Sequence, residues 1–316
     1  MRGLRLVPEE TNINFIGVRY AAFAISLFLV LGSVFLIATK GLNFGIDFAG
    51  GTVIEVRTPE VPDLKNLRER LNGLGLGAIS IQEFGEPDDL LIRLRQQEGG
   101  AEVQTAAINS VRSALDATYK DVGAVDYRRT EFVGPQVGEE LKQQGLMAVI
   151  FSMFGILAYV WFRFEWQFGV ASIVALLHDA ILTIGLFSLT QVEFNLATVA
   201  AVLMIAGYSI NDTVVVFDRI REDLRKYKKM PLPELFNIAI NRMLGRTLMT
   251  SVTTLLALIA LYLFGGEVIR GFIYALIFGI GVGTYSSIFI AAPVLLFMDI
   301  KRSDAEKVGH EVGAQG

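Results

Sequence analysis

Cysteine is absent from this 316-residue chain, and histidine occurs only at His178 and His310. The first absence excludes disulfides, thiolate nucleophiles and cysteine-held metals, and the second leaves too few imidazoles for a multi-histidine metal site. Charge is scarce too. Charged residues make up 19% of the chain, the formal net charge is −4, and no basic block suggests a nucleic-acid partner. No cofactor is expected. What the chain has in quantity is apolar surface: 53% of its residues are hydrophobic and the mean hydropathy is +0.49. One soluble core cannot bury that much, which points to an integral membrane protein.

A short polar segment, residues 1–17 with Arg2, Arg5, Glu9 and Glu10, precedes the apolar run Tyr20 to Ala38. Those 19 residues suffice to cross a ~30 Å bilayer at ~1.5 Å per residue. A cleaved signal peptide is the rival reading. The run is long for one, starts late and lacks a clear small-x-small cleavage site, so residues 18–39 are expected to remain as a first transmembrane helix.

Residues 40–143 change character. Thr52 to Arg57 alternates like a half-buried strand, and Asp63 to Leu71 reads as an amphipathic helix behind Pro62. Ala78 to Phe84 and Leu90 to Arg95 are strand-like around a turn at Gly85 to Asp89; Glu102 to Tyr119 has helical spacing and Val122 to Phe132 closes with a strand. The order β-α-β-β-α-β predicts a ferredoxin-like α+β domain. Within residues 144–298, apolar runs at 144–162, 168–190, 194–217, 246–264 and 268–298 predict five more spans, giving an α-helical bundle of six transmembrane helices.

Charge sets the orientation. The segment 218–245 carries Arg219, Arg221, Arg225, Lys226, Lys228, Lys229 and Arg242, and the tail 299–316 carries Lys301 and Arg302. The short connections Gln191-Val-Glu193 and Gly265-Gly-Glu267 carry neither Lys nor Arg. The positive-inside rule then predicts cytoplasmic termini, a cytoplasmic 218–245 loop and an outward, periplasmic domain at 40–143. Trp161 and Trp166 fall where an interfacial aromatic belt would sit, at the cytoplasmic turn. The cationic run Arg219 to Lys229 offers contacts to anionic membrane lipid, although the topology rule alone explains it better.

Asp212 lies in the stretch Ala206 to Glu222, at the end of an apolar run. A carboxylate at membrane depth is costly unless paired, hydrated or protonated, so a functional role is expected. Helical spacing puts Tyr208 and Ser209 on its face as a thin polar stripe. The plain alternative is a structural carboxylate that ties two helices together. Arg246 starts the next span at similar depth and is the expected partner, with Thr250, Thr253 and Thr254 extending a hydroxyl face. The alternative there is an arginine snorkelling to lipid phosphates and threonines bonded to their own helix. A small change in geometry between Asp212 and Arg246 would exchange the ionised and protonated carboxyl, and each charge moved across the field is worth ~2.3 kcal/mol per 100 mV. His178-Asp179 in the third span reads as a second relay station, a subunit contact or a hydrogen-bonded structural pair; no HExxH motif accompanies it. Gly279 and Gly283 form a small-xxx-small face for close helix packing, and Pro293 could kink the same span.

Four stretches together carry a family resemblance. They are Gly45-Ile-Asp-Phe-Ala-Gly-Gly-Thr52, His178-Asp179, Gly207-Tyr-Ser-Ile-Asn-Asp-Thr213 with Val216 to Glu222, and Arg246-Thr-Leu-Met-Thr-Ser251. In content and order they resemble the SecF family of bacterial protein-export membrane proteins, within the resistance-nodulation-division superfamily. The resemblance implies pairing with a SecD-like subunit, association with the SecYEG translocon and YajC, and use of the proton-motive force for late, ATP-independent export of preproteins across the inner membrane. It implies no enzymatic activity and a coupling ion that is a proton or, alternatively, sodium. It places the family's membrane carboxylate on Asp212 and its arginine on Arg246, and it makes Gly45, Asp47, Gly50 and Gly51 the handover between first span and outward domain. The plain alternative for Gly50 and Gly51 is a tight turn before the first strand. A proton-driven small-molecule or lipid exporter of the same superfamily is the alternative, but such exporters usually carry two large insertions where this chain has one. An intramembrane enzyme lacks any nucleophile-base-orienter set or metal constellation here.

Overall fold

The computed structural model describes residues 11–77, 79–97, 99–266, 269–298 and 300. Arg2, Arg5, Glu9, Glu10, Glu267, Lys301, Arg302 and His310 lie outside the described residues. Six described helices are long and apolar enough to cross a membrane, as the six apolar runs require. A 3-10 turn (Ile16–Val18) leads into the first, α1 (Arg19–Thr39), which stands at the periphery with Phe28, Leu31 and Phe35 exposed.

The soluble domain follows as α2 (Ile46–Ala49), β1 (Gly51–Arg57), α3 (Leu64–Asn72), β2 (Ser80–Phe84), β3 (Glu86–Leu94), α4 (Ala101–Tyr119) and β4 (Asp126–Val133). Asp63 caps α3, its carboxylate accepting from the Lys65 and Asn66 amides at 3.0 and 3.2 Å. The sheet order is β2-β3-β1-β4 with antiparallel neighbours throughout, the arrangement expected from the β-α-β-β-α-β order. Ile54, Val56, Leu90 and Ile92 of the central strands meet Leu67, Leu71, Val111 and Leu115 of the helices in one buried core.

One local expectation was wrong. The polar run Gly85 to Asp89 reads as a turn, yet the chain reverses tightly at Gly85 and Glu86 to Asp89 already belong to β3. Asp89 stands opposite Arg57 in the ladder and accepts two hydrogen bonds of 2.8 Å from its guanidinium. A cross-strand partner of this kind lets charged residues sit in a strand.

The remaining helices are α5 (Pro135–Arg163), α6 (Trp166–Thr190), α7 (Leu196–Lys226), α8 (Leu232–Phe264), α9 (Arg270–Ser286) and α10 (Ala292–Phe297). A π-helical turn, Ser287–Ala291, joins α9 to α10, and the three form the sixth span. Pro293 is the second residue of α10, and because the π-helical turn runs straight into it, its missing amide falls in the interior of the sixth span. The expected 218–245 loop is mostly helix: α7 and α8 extend past their apolar runs and only residues 227–231 connect them. Phe217, Ile220 and Leu224 of the extension pack on Leu235, Phe236 and Ala239 at helical spacing. Asp223, fully buried between these helices, accepts from Arg242 Nη1 at 2.9 Å. Arg219 and Arg242, two of the charges that suggested a loop, are thus paired with carboxylates within a helical hairpin. α6, α7 and the sixth span form the buried centre of the bundle, with α1, α5 and α8 outside them.

Candidate functional site

Two buried carboxylates lie at that centre, Asp179 on α6 and Asp212 on α7, with 1% and 7% of their surface exposed. Burial of this degree makes an unsatisfied oxygen costly, and none of the four is unsatisfied. Asp212 Oδ1 accepts from Thr247 Oγ1 of α8 at 2.8 Å, and Oδ2 from Ser287 Oγ of the sixth span at 2.6 Å. Asp179 Oδ2 accepts from Ser209 Oγ of α7 at 2.6 Å and Ser286 Oγ of the sixth span at 2.7 Å, while Oδ1 lies 2.9 Å from His178 Nδ1. Neutral hydroxyls surround both groups. A hydroxyl donates to an ionised carboxylate and accepts from a protonated one, so it suits a group that changes state better than a fixed cation does.

The direct Arg246 partner is not formed. Arg246 is exposed and makes neither a hydrogen bond nor an ion pair with Asp212; it acts on that carboxylate only through its field. Successive helical residues point ~100° apart, so one of Arg246 and Thr247 can face α7, and the smaller Thr247 does, at 1% exposure. Thr250 and Thr253 bond to carbonyls of their own helix, Thr250 to Arg246 O at 3.2 Å and Thr253 to Met249 O at 2.8 Å. That is the self-satisfied alternative for the hydroxyl face. Ser209, expected on the Asp212 stripe, serves Asp179 instead. Tyr208 points a buried hydroxyl at no partner among the described residues, and His178 Nε2 is likewise buried and unpartnered beside the Tyr285 ring, 6.2 Å between centroids. Thr247, Ser286 and Ser287 escaped the sequence reading. The one available signal was a cluster of hydroxyls, Thr284, Ser286 and Ser287, in the middle of an apolar span.

Close packing brings these groups together. A Cβ on Gly279 would overlap Ile205 Cδ1 and Cγ1 of α7, and one on Gly283 would lie 3.2 Å from Ser209 Cβ. Gly279→Ala is therefore expected to destabilise the bundle by ~1–3 kcal/mol, the usual range for overpacking. Thermal unfolding of the purified protein would show the loss, and Ile205→Val in the same chain should return part of it. Equal midpoints for the parent and Gly279→Ala would contradict this packing.

The Gly45–Thr52 motif sits at the other end of the same helices. The Gly45 amide donates to Phe194 O at 2.9 Å and the Phe194 amide to Asn43 O at 2.8 Å. Asp47 Oδ2 accepts from the Leu196 amide at 2.9 Å, beside the Asn195–Thr198 capping box that starts α7. Gly50 and Gly51 follow with φ of 70° and 123°, a backbone that L side chains rarely adopt. Arg93 of β3 forms an ion pair with Glu193 of the α6–α7 connection, and burial holds the Arg93 pKa below its usual value. Between the open sheet face and that connection lies a crevice of about 730 Å³, lined by Glu55, Arg93, Glu131, Glu193, Tyr262 and Tyr274 among others. The soluble domain is thus fastened to the link between the two carboxylate-bearing helices.

Residues 114–301 match the family described as protein export membrane protein SecD/SecF, C-terminal, and residues 35–58 match the SecD/SecF GG motif. The chain is similar to the protein translocase subunit SecF of Rickettsia rickettsii, 47% identical over 305 residues covering 96% of this chain and 97% of the relative. It is 44% identical to that of Cereibacter sphaeroides, over 96% of this chain and 95% of the relative. For Magnetococcus marinus the figures are 49%, 94% and 95%. Among solved structures, SecDF, a translocon-associated membrane protein from Thermus thermophilus, superposes with a TM-score of 0.82 at 37% identity, over 93% of this chain and 39% of that one. A SecDF structure in a super-membrane-facing form gives 0.69 at 37% identity, over 97% and 41%. The chain spans about two fifths of the length of those SecDF chains.

Proposed function

Because the chain belongs to the SecF subunits of the SecDF protein translocase, a multi-pass membrane family, we propose that it uses the proton-motive force to promote late, ATP-independent preprotein export. The resemblance to SecDF chains more than twice its length supports a SecD partner. In this reading the complex acts beside SecYEG and YajC in a bacterial inner membrane. The termini and the α7–α8 hairpin face the cytoplasm, and the soluble domain faces the periplasm. The chain acts as a transport subunit rather than an enzyme, and the proton is the coupling ion, with sodium the alternative.

The observation that carries the reading is Asp212: a carboxylate 7% exposed, held by two neutral hydroxyls, on the helix whose first turn is capped through Asp47. Asp212 takes up and releases the proton. Thr247 and Ser287 satisfy the ionised form, and Arg246 supplies a fixed positive field from the exposed flank of α8. Moving that charge through part of the membrane potential is worth up to ~2.3 kcal/mol per 100 mV, enough to bias a rearrangement of packed helices. α7 passes the displacement to the Gly45–Asp47 seat, and the Arg93–Glu193 pair passes it to the domain.

The test follows secretion into inverted membrane vesicles with ATP depleted after initiation. Completion should track an imposed proton gradient in the parent, and should lose that dependence in Asp212→Asn and Arg246→Met. The asparagine is expected to fold, because Ser287 can turn its proton to Thr284 O, 3.0 Å away, and accept from the amide. Equal completion in all three would overturn the reading.

A further inference from the structure

Ser286 and Ser287 are consecutive residues of one span, yet they serve carboxylates on two different helices. Ser286 reaches Asp179 on α6 at 2.7 Å and Ser287 reaches Asp212 on α7 at 2.6 Å. Both serines are fully buried. Each also has a second acceptor three residues back on its own helix, Gly283 O at 3.1 Å for Ser286 and Thr284 O at 3.0 Å for Ser287. One hydroxyl proton faces two acceptors in each case.

The π-helical turn begins at Ser287 itself. Such turns are rare, recur at functional sites and mark a helix out of its regular register. The hydroxyls, the register fault and the two carboxylates therefore coincide at a single peptide unit. The groups facing this unit are Asp179 and His178 from α6, Ser209 and Asp212 from α7, and Thr247 from α8. Tyr285 stands beside His178 and shares a hydrogen bond of 3.1 Å with Ser26 of α1, and Arg246 acts from a distance.

We propose that Ser286 and Ser287 are positioning residues that join Asp179 and Asp212 into one responding unit through the π-helical turn. The inference rests on the reading of Asp212 as the proton-coupling group. With Asp212 ionised, Ser287 donates to it. When Asp212 gains a proton, its own O–H donates to Ser287 Oγ and the serine proton swings to Thr284 O; no covalent bond to the serine forms or breaks. The hydrogen bond that held the π-helical turn against α7 is thereby reversed. Any shift of Ser287 along or about the helix axis carries Ser286 with it, and so changes the hold on Asp179.

The experiment uses the complete SecDF complex in inverted vesicles and compares the parent, Ser286→Ala, Ser287→Ala, the double variant and Asp212→Asn. Each serine variant keeps a second donor on its carboxylate, Ser209 or Thr247, so folding is expected to survive; thermal unfolding of the purified complexes checks it. Each single variant should displace the pH of half-maximal gradient-driven completion by about one unit, the equivalent of one hydrogen bond to a charged group. The double variant should be no worse than the poorer single, because the two act as a unit. Losses that multiply in the double variant, or pH profiles that match the parent's, would overturn the proposal. Loss of gradient dependence in Asp212→Asn alongside parent-like serine variants sinks this inference alone. Parent-like Asp212→Asn sinks the proton-coupling reading and this inference with it.

Discussion

Asp179→Ala is expected to lower the stability of the bundle by about 2–6 kcal/mol, whereas Asp179→Asn should cost about 1–3 kcal/mol. The alanine removes the acceptor of three groups at once: His178 Nδ1, Ser209 Oγ and Ser286 Oγ. Ser286 can fall back on Gly283 O, but Asp179 is the acceptor that buried Ser209 and His178 lose. A buried donor left without a partner costs ~1–3 kcal/mol, which sets the range for two of them. Asparagine keeps the shape. Its carbonyl oxygen can accept from both serines, and its amide can donate to His178 Nδ1 when the imidazole carries its proton on Nε2, although that buried N–H then has no acceptor among the described residues. The neutral variant therefore separates holding from titrating. Thermal unfolding of the purified chain should rank parent, asparagine and alanine in that order, and alanine unfolding like the parent would mean that the carboxylate holds nothing. In the vesicle assay, Asp179→Asn should lose gradient dependence if Asp179 titrates with Asp212. Full retention would leave Asp179 as the structural pair with His178 that the sequence equally allows.

Much of the fold was legible because it depends on periodicity. Six apolar runs and the β-α-β-β-α-β order each follow from spacing along the chain. The α7–α8 hairpin was missed because charge was read as loop, although Phe217, Ile220 and Leu224 continue the helical spacing through it. Asp223 meets Arg242 only once the two helices lie side by side. The candidate site divides in the same way. Asp179 and Asp212 stand out because a carboxylate is expensive in an apolar span wherever it points. Thr247, Ser286 and Ser287 do not, since lone hydroxyls are common in spans and satisfy themselves on the backbone, as Thr250 and Thr253 do. Choosing Thr247 over Arg246 needs the rotation of α8 about its axis, which packing sets and local sequence does not. Likewise, nothing in Ser286-Ser287-Ile288 announces a π-helical turn.

At the domain seat, Gly51→Ala is expected to cost about 3 kcal/mol or more and to release the soluble domain from its docked position. Two effects combine. Gly51 has a φ of 123°, where an L side chain is strained by ~1–3 kcal/mol. An added Cβ would also lie 2.5 Å from the Leu94 carbonyl oxygen. That oxygen belongs to the backbone of β3, and Thr52 pairs with Leu94 in the ladder, so no rotamer change relieves the overlap; the strands must part at their first rung. Gly51 also pairs with Val133 on the other side of β1, so the disturbance reaches both neighbours of the central strand. Gly41→Ala is the matched control. Gly41 also has a positive φ, 69°, but nothing lies within 4 Å of its Cβ position, so only a left-handed backbone cost of ~1–2 kcal/mol applies. Limited proteolysis of the complete protein in detergent should cut within residues 51–133 far faster in Gly51→Ala than in Gly41→Ala, with the helical bundle intact in both. Equal rates would show that the strand start tolerates a side chain. If the domain is released as expected, gradient-driven completion should fall with Asp179 and Asp212 untouched, because α7 would then move without the domain that its first turn holds through Asp47.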